Sequence, residues 1–141
     1  MRHPVLRHLA IAGLCLAAAA VPTMTFAHHS FAAEFDRQKP VAIEGLVTKA
    51  QFVNPHSWIY LDVRNDDGST TNWGFEFGSP GTLQARNITK NDVRAGSRVR
   101  ITGFRSRNTG PYGYAQTVLL GDGRTVSIGS APDAPPVRQA R

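Results

Sequence analysis

Residues 41–53, VAIEGLVTKAQFV, followed by the turn Asn54-Pro55-His56 and then by residues 57–63, SWIYLDV, decide the fold class. Both runs alternate with a period of two, which is the signature of strands rather than helices. In the second run Ile59, Leu61 and Val63 share one face, and Trp58, Tyr60 and Asp62 the other. In the first run the alternation changes phase. Val41 and Ile43 fall on one face, Leu46, Ala50 and Phe52 on the other, with Gly45 between them. A phase slip at a glycine predicts a bulge there, which would bend a long strand for use in a barrel.

Working outward, Asn65-Asp66-Asp67-Gly68 is a hairpin signal, because Asp-Gly tolerates the positive φ that tight turns require. The return strand, residues 71–77 (TNWGFEF), places Trp73, Phe75 and Phe77 on one side. Ser79 suits a helix N-cap and Pro80 the first helical position, so one short helix is expected next. Thr89 and Asp92 resemble a further capped turn. Strands resume at residues 98–104 and 114–120, and Gly121-Asp122-Gly123 turns the chain into 125–128. Three strands, a helix, then two strands and a terminal arm is the order of a small all-β, OB-like barrel of five to six strands. The alternative is an immunoglobulin-like sandwich, which needs about seven strands and no helix in mid-chain.

The chain of 141 residues has room for one such domain. Residues 1–27 are expected to be a signal peptide. Arg2 and Arg7 give a basic start, residues 9–21 (LAIAGLCLAAAAV) form an uncharged stretch, and Thr25-Phe26-Ala27 offers a cleavage site. That stretch falls short of the ~20 residues a membrane-spanning helix needs. Cys15 follows Leu14, where a lipid-anchoring cysteine would want a small residue. Residues 28–40 then form an N-terminal arm, 41–130 the barrel, and 131–141 (APDAPPVRQAR) a disordered tail. The expected product is periplasmic or secreted, and no transmembrane segment follows cleavage. It contains no cysteine, so neither disulfides nor thiolate metal ligands enter. Without Arg2 and Arg7 it keeps 14 basic residues against 10 acidic, a net of +4. With three lysines and an export signal, that charge does not point to nucleic acid. An anionic envelope component or an unknown small ligand is the expected partner.

Several stretches resemble one family. His28-His29-Ser30-Phe31, residues 54–63 (NPHSWIYLDV), residues 73–80 (WGFEFGSP) and Asp122-Gly123-Arg124 are similar to an uncharacterised exported bacterial family, domain-of-unknown-function family 6152. The resemblance implies an exported bacterial protein. It brings no established activity, cofactor or catalytic residue.

Chemistry must therefore come from the residues. Three histidines survive cleavage: His28, His29 and His56. A His28 at the new N-terminus could chelate a metal through its α-amine and Nδ1, with His56 or His29 adding a third nitrogen. Such a planar nitrogen set suits copper(II). The α-amine (pKa ~8) and imidazoles (pKa ~6.5) must lose protons to bind, so affinity would weaken as pH falls. Equally, the terminal histidines could simply be disordered at a frayed end and His56 a turn residue bonded to a backbone carbonyl. Trp58 and Tyr60, beside Asn54 in the preceding loop, form a candidate ligand-binding face for a flat molecule. The competing expectation is that Phe31 and Phe35 of the arm fold back over those rings. Arg98 and Arg100 read as a solvated strand face. No Gly-x-Ser-x-Gly, phosphate loop or His-Glu-x-x-His is present, and Glu34 and Asp36 lie in an arm that gives them no evident reason to pair. A binding module is expected, with a copper-dependent oxidoreductase and a purely structural envelope protein as alternatives.

Overall fold

The computed structural model describes residues 30–136, and no helix among them is long and apolar enough to cross a membrane. After a single turn of helix, α1 (Phe31–Glu34), the chain enters β1 (Phe35–Gln51). β2 (Ser57–Arg64) and β3 (Thr70–Phe77) form the predicted hairpin, with Gly68 at φ 85° in its turn. Helix α2 (Pro80–Ala85) is capped by Ser79, whose Oγ accepts the Thr82 N–H, and Pro80 opens it. β4 (Arg98–Ser106), β5 (Tyr112–Leu119) and the short β6 (Thr125–Ser127) complete the chain.

The strands run β3-β2-β1-β4-β5-β6, and three parallel pairs between β3 and β5 join the ends of the first five into a closed ring. The long β1 makes closure possible: its first part pairs with β4 and its last part with β2. This is the all-β, OB-like arrangement expected, with the short helix between the third and fourth strands. The sandwich alternative would require two sheets facing each other. Here one sheet curls on itself around Ile59, Leu61, Phe75, Val99, Ile101 and Val118, all at most 1% exposed. Leu83 of α2, with Ile88 and Val93 after it, joins the same core.

The bend in β1 is displaced from where the sequence placed it. Gly45 pairs regularly with Val99, and the irregularity lies between Val47 and Lys49, at Thr48. Val41 and Ile43 therefore stay in phase with Val47, which is 2% exposed, while Leu46 points outward at 42%. Ala50 and Phe52 regain the core only after the bulge. Gly45 is small for another reason: a Cβ there would lie 2.5 Å from the Asp62 carbonyl oxygen. It marks where the backbone of β2 comes closest to β1.

The arm and the first part of the tail form a second, external core. Phe31, Phe35, Phe104 and Tyr114 bury one another, with ring centroids 5.2–5.4 Å apart from Phe31 to its three neighbours. Ala131 and Ala134 pack against this cluster. Polar bonds fasten the cover: Asp133 Oδ1 accepts the Phe31 N–H at 3.2 Å, and Ala131 N–H donates to the Tyr114 hydroxyl at 2.8 Å. Arg107 donates from its backbone to the Glu34 carbonyl and from Nε to that of Ala32. Residues 131–136, expected as part of a disordered tail, thus have specific partners. The sequence pattern hid this because the bonds use backbone groups and one carboxylate rather than an apolar run.

Candidate functional site

The hairpin fixes the site. Trp58 and Glu76 lie directly opposite each other across β2 and β3, as do Tyr60 and Gly74. All four occupy outward positions, since their neighbours Ile59, Phe75 and Phe77 fill the core. The Trp58 and Tyr60 rings stack with centroids 6.3 Å apart and planes 21° from parallel. Lys49 Nζ sits 5.9 Å above Tyr60. From β5, Tyr112 reaches across Gly74: a Cβ on Gly74 would be 2.9 Å from the Tyr112 ring and 3.2 Å from that of Tyr60. The missing side chain is what leaves room for both rings over the sheet.

Beside this aromatic strip opens a cleft of about 360 Å³, at the small end of ligand-pocket sizes. Trp58 and Glu76 form its floor. Glu34 and Phe35 of the arm make one wall, and Ser106, Asn108, Tyr112 and Gly113, from the β4–β5 turn and its flanks, make the other. OB-like proteins take ligands on the second and third strands and the loop between the fourth and fifth. The cleft lies on that face.

The arm meets Trp58 in a way the sequence did not suggest. Phe31 and Phe35 go to Phe104 and Tyr114 rather than over the Trp58–Tyr60 stack. The reason is geometric. Phe104 and Tyr114 pair across β4 and β5 and offer a ready apolar seat on the outer surface. The arm thereby borders the tryptophan without covering it.

Of the histidines singled out, His56 is described and exposed, in the loop after β1 that contains a cis Asn54–Pro55 bond. Its Nδ1 lies 2.5 Å from Glu76 Oε1. Glu76 is 9% exposed. His28 and His29 lie outside the described residues. Among the described residues, no three His, Cys, Asp or Glu side chains gather in a way that could hold a metal ion. Asn54 is exposed in the same loop as His56 and does not line the cleft.

Six lining residues were not foreseen: Glu34, Glu76, Ser106, Asn108, Tyr112 and Gly113. The hairpin signal could have found Glu76, because it and Trp58 are equidistant from the Asp67-Gly68 turn. Tyr112 and Asn108 carry no comparable mark, since a parallel pairing between distant strands brings them in.

The family model of the Family of unknown function (DUF6152) matches residues 15–115. The chain belongs to that family. No curated protein and no solved structure matches it.

Arg98 and Arg100 lie elsewhere in this DUF6152 protein. Both bond Glu44, at 3.3 and 2.8 Å. The hydrogen bonds from Arg100 and then Arg98 hold the Glu44 carboxyl below its usual range. These arginines spend part of their charge on a neighbour, and none of them lines the cleft.

Proposed function

We propose that this protein is an exported binding module, periplasmic or secreted, whose ligand occupies the cleft between the outer face of β2–β3 and the N-terminal arm. The observation that carries this reading is the convergence of Trp58, Glu76, Asn108 and Tyr112, from three strands and a turn, on one open cleft. Polar groups converging beside apolar walls are what fix a ligand's orientation. The experiment is amide-shift mapping by NMR with a panel of small sugars, amines and carboxylic acids. Shifts centred on residues 58, 76, 108 and 112 support the reading. A panel whose hits all map to the Arg98–Arg100 face would end it and favour an anionic envelope partner instead.

A second reading, copper binding, is favoured by the His56–Glu76 pair. A carboxylate at Nδ1 fixes the ring and leaves Nε2 as the metal-facing nitrogen, the usual arrangement around metal-bound histidine. The remaining ligands would be the α-amine and ring of His28, or the ring of His29, after cleavage behind Ala27. Copper(II) titration of protein starting at His28, beside protein with one extra residue before it, tests this. The chelate predicts much weaker binding for the extended form, and His56→Ala should weaken it further. Equal weak binding by both forms removes the metal. Tight binding without oxygen- or peroxide-dependent turnover separates a carrier from a copper-dependent oxidoreductase.

A further inference from the structure

We infer that the cleft and the adjoining aromatic strip bind an oligosaccharide free of anionic groups, an inference that rests on the cleft being the ligand site. Three observations on this face point to that class. Trp58 and Tyr60 present nearly parallel rings, 6.3 Å apart, on the outward side of β2. Pyranose rings carry an apolar C–H face that lies flat on such a surface, as other flat apolar groups do. Tyr112 adds a third ring at the mouth of the cleft, 45% exposed and held over Gly74. The strip therefore extends beyond what a single ring would cover, which suits a chain of rings better than a compact molecule.

The second observation is the polar lining. Glu34, Glu76, Ser106 and Asn108 supply carboxylate, hydroxyl and amide groups around the aromatic floor. Carboxylate, amide and hydroxyl oxygens accept hydrogen bonds, which sugar hydroxyls donate in abundance, and Glu76 also faces His56 Nδ1 at 2.5 Å. The third is the sign of the charge. The protein is basic overall, yet among the described residues two glutamates and no lysine or arginine line the cleft, and the one cation placed on the strip beside it is Lys49, over Tyr60. A single-stranded nucleic acid also stacks on aromatic rings, but it requires a positive groove along its phosphates. Uronic-acid polymers would meet the same carboxylates with like charge. Neutral and amino-bearing sugars remain.

Isothermal titration calorimetry on the purified chain tests this with three hexasaccharides: N-acetylglucosamine (neutral), glucosamine (cationic) and galacturonic acid (anionic). Binding of either of the first two, with the anionic one at least tenfold weaker, is the expected result. Trp58→Ala should weaken it roughly tenfold, the loss of about one stacking contact. Tyr112→Ala, at a position 45% exposed, should weaken it several-fold. Preferential binding of the anionic sugar, or unchanged affinity in both variants, overturns the proposal. So does failure of all three sugars to bind. If the sugars fail while another molecule maps to residues 58, 76 and 112, the ligand class is wrong and the cleft survives. If nothing maps there, both readings fall together.

Discussion

Two groups of aromatic residues sit on the outside of the same ring of strands, and only one of them is sealed. Phe31, Phe35, Phe104 and Tyr114 are at most 8% exposed, under cover supplied by the arm and by residues 131–134. Trp58 and Tyr60 are half-buried and Tyr112 is exposed, with no segment of the described residues laid across them. Residue type does not explain the difference, since both groups are large rings on the outer surface. Cover does. The arm's Phe31 and Phe35 pack on Phe104 and Tyr114. The sealed group is packed as part of the fold, and the open one is the face on which the proposed ligand would sit.

The largest test of this contrast is Phe104→Ala. Removing a buried phenylalanine typically costs about 3–5 kcal/mol, a large share of the stability of a domain this size. Urea unfolding should show that loss. A change below about 1 kcal/mol would mean the arm and tail rest on the strands without contributing, and the distinction between the two groups would dissolve.

A second test uses the ionisation of Tyr114. Burial pushes its hydroxyl above the usual tyrosine range, and this outweighs the opposing backbone N–H bonds from Ala131 and Ser130. The folded state thus prefers the protonated form. The sign follows: this stabilisation is complete below the unfolded-state pKa of about 10, and it is lost as pH rises through the raised folded value. Stability measured from pH 8 upward should fall on the alkaline side, and Tyr114→Phe should flatten that fall. An equally steep decline in the variant would place the alkaline sensitivity elsewhere.

Much of the fold was legible because it depends on local chemistry. The Asp67-Gly68 turn, the alternation in residues 57–63 and the Ser79-Pro80 cap each act within a few residues, and each appears where the sequence puts it. Gly45 shows the limit. A glycine in a strand signals either a bulge or a close approach, and only the position of the Asp62 carbonyl decides between them. The site was half legible for the same reason. Trp58 and His56 could be singled out within one stretch, and Glu76 could be inferred through the hairpin. Glu34, Asn108 and Tyr112 arrive through the arm's choice of seat and the parallel β3–β5 pairing, which no local pattern encodes.

The smallest expected effect separates the two groups most cleanly. Tyr112→Ala removes a ring that is nearly half exposed and packs mainly over the backbone of Gly74. Surface substitutions of this kind usually change stability by no more than about 0.5 kcal/mol. Set beside Phe104→Ala, one ring on the outer surface should then matter several-fold more to folding than another on the same surface. If Tyr112→Ala instead destabilises the protein as much as Phe104→Ala, the open strip is structural. The half-exposed rings would then be held for the sake of the strands beneath them.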